Sequence, residues 1–197
     1  MKTPYALGLI ILFFLAIFLW VYPFPKQIDK EIPAILSIAD TPYPYETSDS
    51  GESAITYTNK PTVIHVKGTV YRKLFRQPEL KTQITVDGFN WMTDGRHSMT
   101  GPLVGERKDG INMGSIFYNH EQQYSSSPSF GHAKFATVFF DNDFEQFHLW
   151  TTTEEWMGEE EPRLLKITGA AQNKEEAEQV LREIHAVYGD WIDSTGL

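Results

Sequence analysis

Histidine and carboxylate side chains are the groups in this chain best suited to chemistry near neutral pH, because it contains no cysteine. His120 is followed by Glu121, and a Ser-rich loop, 122–131, separates it from His132. If strands aligned His120 and His132 across that loop, two imidazoles and a carboxylate would form a metal site. The spacing does not demand this, and histidines at strand ends are ordinarily solvated. The densest charge run is Glu154-Glu155-Trp156-Met157-Gly158-Glu159-Glu160-Glu161. Its carboxylates could attract Ca²⁺, yet it lacks the ordered alternation of ligands and glycine of a calcium loop. A solvated hairpin tip is the expectation there, with Trp156 either contacting a partner or folding back onto a sheet.

Standard catalytic signatures are missing: the sequence has no nucleophile elbow, zinc helix, P-loop or dinucleotide fingerprint. Without cysteine, thiol catalysis and thiolate metal sites are impossible. The expectation is a non-enzymatic protein without a cofactor. A metal-dependent hydrolase built on His120 and His132 is the enzymatic alternative.

Two other groups suit recognition. Trp91, Tyr124 and Phe130 lie in segments that combine aromatics with small polar residues, as in adaptable binding loops, and their rings could stack on sugar faces; Trp156, among acids, is a further candidate for ligand contact. Lys67, Arg72, Lys73, Arg76 and Lys81 concentrate positive charge in one expected hairpin of a chain whose net charge is −9. Such a cluster could meet anionic headgroups or envelope polyanions. Lysine and arginine also keep an edge hairpin from pairing with other sheets, and this structural account is favoured. The overall acidity argues against nucleic-acid binding, which needs an electropositive face.

The elements that must position these residues begin with an apolar run. From Thr3 to Pro25 there is no charge, and 12 of the 17 residues from Ala6 to Tyr22 are Leu, Ile, Phe or Val. About 20 helical residues span the roughly 30 Å hydrocarbon core of a bilayer. The run is longer than a signal-peptide core, and Pro23-Phe24-Pro25-Lys26 stands where a small-residue cleavage site would be needed. Residues 1–25 are therefore expected to be an uncleaved signal anchor, meeting the bilayer through residues 5–22. The short leading tail favours a cytoplasmic N-terminus with the domain outside, and Trp20 and Tyr22 suit the outer interface.

Residues 26–60 are expected to form a stalk, because prolines punctuate the segment and 46–53 is strongly polar. Within it, Ile32, Ala34, Ile35, Leu36 and Ile38 would form a short interfacial helix or dock on the domain. The domain is expected over 61–197. Ile64, Val66, Gly68 and Val70 alternate with polar residues, as do Leu80, Ile84 and Val86, which predicts a hairpin. Further strands are expected over Ile111–Tyr118, Ala133–Phe140, Phe144–Thr152 and Leu164–Thr168. Asp87-Gly88, Asp94-Gly95 and Asp109-Gly110 supply turns.

Ala177, Val180, Leu181, Ile184 and Val187 then fall on one helical stripe, with Asn173 and Glu176 as a capping pair and Gly189 as a stop. The predicted class is α+β: a single transmembrane helix, then an antiparallel β-rich domain with one C-terminal amphipathic helix on the sheet. The expected role is a membrane-anchored, extracytoplasmic interaction or accessory module of a bacterial type of cell envelope, acting on an envelope protein partner. A cell-wall carbohydrate-binding domain is the alternative.

Overall fold

The computed structural model describes residues 3–22, 24–42, 56–72, 79–94, 97–120 and 134–194; within these, the side chains of 3–7, 19, 21, 97, 98, 100, 120, 190, 191, 193 and 194 are not described. Helix α1 covers Thr3–Val21, and strand β1 follows at once as Phe24–Pro42. Then come β2 (Tyr57–Arg72), β3 (Glu79–Val86), β4 (His97–Lys108), β5 (Ile111–His120), β6 (Lys134–Asp141) and β7 (Phe147–Thr152). A short helix α2 (Thr153–Met157), strand β8 (Arg163–Gly169) and helix α3 (Lys174–Ser194) complete the chain. Among the described residues, no helix is long and apolar enough to cross a membrane.

The eight strands form one sheet in the order β3-β2-β1-β8-β7-β6-β5-β4, every paired neighbour antiparallel. The sheet curls until its two edges meet. The Ile84 amide donates to the Met99 sulfur at 3.0 Å, and β4 approaches so closely that a Cβ on Gly101 would lie 2.7 Å from the Leu80 carbonyl oxygen. Pro102 follows in β4 and has no N–H to donate to a neighbouring strand. The result is a nearly closed up-and-down barrel. Its interior is filled by inward residues such as Ile64, Val66, Ile84, Ile116, Phe140, Phe147, Leu149 and Ile167.

The expected hairpin is present as β2–β3, with Val66 opposite Ile84 and Val70 opposite Leu80. Gly68 sits there at φ 151°, and a Cβ on it would come within 2.1 Å of the Lys81 carbonyl oxygen; only glycine permits that approach. Residues 26–42, expected as part of a stalk, are instead the long strand β1, paired with both β2 and β8. The folded domain therefore starts near Phe24 rather than Pro61, and Ile32, Ala34, Ile35 and Ile38 are core residues. Residues 43–55 of the expected stalk lie outside the described residues. Pro33 is tolerated because its carbonyl faces the β8 side, where it accepts the Ala171 amide at 3.1 Å; its nitrogen points the same way, past the last β8 pair at Ala34 and Gly169.

Strand β4 was not expected. Phe144, expected to open a strand, lies in the β6–β7 turn at φ 54° and is buried; β7 begins at Phe147. The expected C-terminal helix packs on the outer face of the sheet through Val180, Ile184 and Tyr188 against Ile111 and Phe139, and through Ala177 against Ile35. The predicted cap forms, the Glu176 amide donating to Asn173 Oδ1 at 2.9 Å; the Glu176 carboxylate reaches back to accept the Gln172 amide and the Asn173 side-chain amide, each at 2.8 Å. The helix does not stop at Gly189. It kinks at Tyr188, whose φ and ψ are −120° and 21°, and continues to Ser194.

Candidate functional site

Four sequence-derived groups can be placed. Trp91 and Trp156 do come together, with ring centroids 5.5 Å apart, at the barrel end carrying the β3–β4 and β7–β8 connections. Trp156 is only 1% exposed and packs edge-on against Phe89 at 5.0 Å and Tyr118 at 6.0 Å. Its indole N–H donates to the Phe135 carbonyl at 3.1 Å. The acidic run is the connection between the antiparallel neighbours β7 and β8, with Glu154, Glu160 and Glu161 exposed, while Trp156 folds back into the barrel end. Thr152 caps α2 by accepting the Glu155 amide, Gly158 ends it in the left-handed conformation, and Glu159 receives the Arg163 guanidinium at 2.7 Å. This contact holds the Glu159 carboxyl below its ordinary range. Trp156 seals the barrel end and offers no face to a sugar. Tyr124 and Phe130 lie outside the described residues.

The three described basic residues of this group, Lys67, Arg72 and Lys81, do not make one face. Lys67 and Lys81 point outward from the hairpin, Lys67 toward Asp29 at 3.6 Å and Lys81 toward Glu79 at 3.6 Å. Arg72 lies on the opposite side of the strand and reaches Asp143 at 2.5 Å. Lys26 pairs with the same carboxylate, and Lys30 donates to the Asp143 carbonyl at 2.7 Å. Hydrogen bonding from Lys26, with the charge of Arg72 beside it, keeps the Asp143 carboxyl below its ordinary range. These contacts tie β1 and β2 to the β6–β7 turn and close the other barrel end. Lys73 and Arg76 lie outside the described residues.

For the metal hypothesis, the backbone register sets His97 opposite His120, but the His120 side chain and all of His132 lie outside the described residues. Among the described residues, no group of three or more His, Asp or Glu could hold a metal ion.

A different site lies on the outer face of the sheet, along the edge of α3. In register, Trp150 faces Lys166, and His148 faces Thr168, across β7 and β8. These outward side chains and α3 enclose a hollow of about 230 Å³. Its apolar walls include Phe139, Trp150 and Leu181, and its polar members are His148, Lys166, Arg182 and His185. A neighbouring hollow of about 350 Å³ shares Lys166 and Leu181 and is bordered by Tyr57, Thr168 and Glu178. His148 is buried, with Nδ1 3.0 Å from Thr168 Oγ1, and its ring stacks near Phe139. Burial, reinforced by the Lys166 charge, pushes its pKa down to about 3, so the imidazole is neutral throughout the physiological range.

Lys166 is half-buried, and its ammonium stands 4.9 Å from the Tyr57 ring centroid. Among the described residues it forms no ion pair. Arg182 is steadied by Gln179 at 2.9 Å and stands 4.0 Å from Glu178. None of this was singled out from the sequence, because the assembly depends on strand register and no local motif marks it.

No protein-family model matches the chain, and neither a curated protein nor a solved structure is significantly similar to it.

Proposed function

We propose that this chain is a single-pass membrane protein, N-terminus cytoplasmic, that presents its barrel outside the membrane as a non-enzymatic interaction or accessory module of a cell envelope. The observation carrying this reading is the state of α1. Leu9, Ile10, Ile11, Leu12, Phe13 and Phe14 are all more than half exposed, although each is a residue that burial favours. An apolar surface of this kind needs a cover. Although no helix qualifies as a span among the described residues, the full uncharged run of the sequence from Thr3 to Pro25 has about the length that a bilayer cover requires. Only Tyr22 and Pro23 separate α1 from β1, so the barrel would sit directly at the membrane surface rather than on a long tether.

A role in contacting an envelope protein follows from that position together with the missing catalytic signatures. In-cell cross-linking tests it, comparing the full chain with residues 1–24 fused to an unrelated soluble domain. The expected result is a partner captured by the full chain and not by the fusion. Identical capture by both would overturn the assignment of the contact to the barrel.

A further inference from the structure

We propose that the hollow between α3 and the outer face of β7–β8 binds a small monoanion with an apolar body, such as a carboxylate carried on a single ring, with Lys166 as its counter-ion. The inference does not depend on the membrane reading, since the hollow is formed entirely by the barrel wall and α3. Charge is the first ground. The protein has 26 acidic and 17 basic residues, yet the described residues lining the smaller hollow include Lys166, Arg182 and His185 and no carboxylate. The Lys166 ammonium has an aromatic ring beneath it and no acidic partner among the described residues, so a ligand carboxylate would complete its coordination without displacing an ion pair.

Shape and wall chemistry narrow the ligand class. About 230 Å³ accommodates one ring and a short side chain, and Phe139, Trp150 and Leu181 provide apolar contact. The apolar walls set it against a sugar, which needs hydrogen-bonding groups around most of its ring. His148 adds no competing charge: it lines the hollow as a neutral imidazole fixed by Thr168. An uncharged ring remains beside the charged lysine, and a monoanion matches that pairing.

The test uses the full chain in phosphatidylcholine nanodiscs, with 4-(trifluoromethyl)phenylacetate as the probe followed by ¹⁹F NMR. Saturable binding with a Kd below about 1 mM is expected, absent from empty nanodiscs. Lys166→Met is expected to weaken it at least about tenfold, a loss on the scale of one charge-assisted contact. Leu181→Trp is expected to abolish it by filling the hollow, with unchanged circular dichroism confirming the fold. The neutral amide of the probe should bind at least about tenfold more weakly than the acid. Equal binding of acid and amide, or wild-type affinity in both variants, would overturn the proposal. So would binding that does not saturate.

Discussion

Trp156→Ala is expected to destabilise the barrel by about 3–5 kcal/mol, the range for removing a buried tryptophan. The residue is 1% exposed and plugs one barrel end among Phe89, Trp91 and Tyr118. Its removal would leave a large void and strip the Phe135 carbonyl of the indole donor, although Thr151 Oγ1 still donates to that oxygen at 2.7 Å. Trp156→Phe keeps a ring in the plug and loses the hydrogen bond and part of the volume, so a smaller cost, about 1–2 kcal/mol, is expected. Urea unfolding of the full chain in mild detergent, followed by near-ultraviolet circular dichroism, separates the two. A loss below about 1 kcal/mol for Trp156→Ala would contradict the structural role and return Trp156 to the set of surface recognition residues.

The second large effect is a loss of stability in mild acid. His148 titrates near 3 in the folded protein, against about 6.5 for an ordinary histidine. Between those values the unfolded chain binds a proton that the folded chain does not. The His148 contribution to stability is therefore fully present above about pH 6.5 and is lost progressively as the pH falls toward 3. From pH 7 to pH 5 the expected loss is about 2 kcal/mol. The carboxyls of Asp40, Asp143 and Glu159 are all held below their ordinary values, so their contributions fade only at lower pH and leave this window to histidine. The double variant His148→Leu, Thr168→Val removes the titrating ring together with its buried partner. Urea midpoints should then change much less between pH 7 and pH 5. An undiminished loss in the double variant would assign the acid sensitivity elsewhere.

The first hairpin and the last helix were legible in the sequence because each exposes one side to solvent and buries the other. Alternation therefore marks Ile64–Val70 and Leu80–Val86, and a helical stripe marks Ala177–Val187. Strand β1 was illegible for the opposite reason. Its inner residues Ile28 and Ile32 face the core, while Ile35 and Ala39 on the other face are also buried, with Ile35 packed beside α3. Burial on both sides erases the period of two. Lys26 and Lys30 on the inner side complete the disguise, since both lie at the barrel end, where they reach the Asp143 turn while staying partly exposed.

The candidate site residues were hard to read for related reasons. For Trp156 the sequence left partner contact and folding back both open; a one-turn helix folds it inward while most of its glutamates stay at the surface. The basic residues adjacent in the hairpin sequence are split between two faces by strand alternation. The hollow beside Lys166 depends on pairing Trp150 with Lys166 and His148 with Thr168, and no local pattern in either strand encodes that register.

The central claim, a membrane-held helix carrying an externally displayed barrel, is tested most directly by cysteine labelling. The chain contains no cysteine, and Glu160 is exposed beyond α2, so Glu160→Cys provides one reporter. Intact cells expressing this variant are treated with a membrane-impermeant maleimide, and their membranes are then extracted with alkaline carbonate. The account predicts labelled protein in the membrane pellet. Labelled protein in the supernatant, or labelling only after the cells are broken, would contradict it.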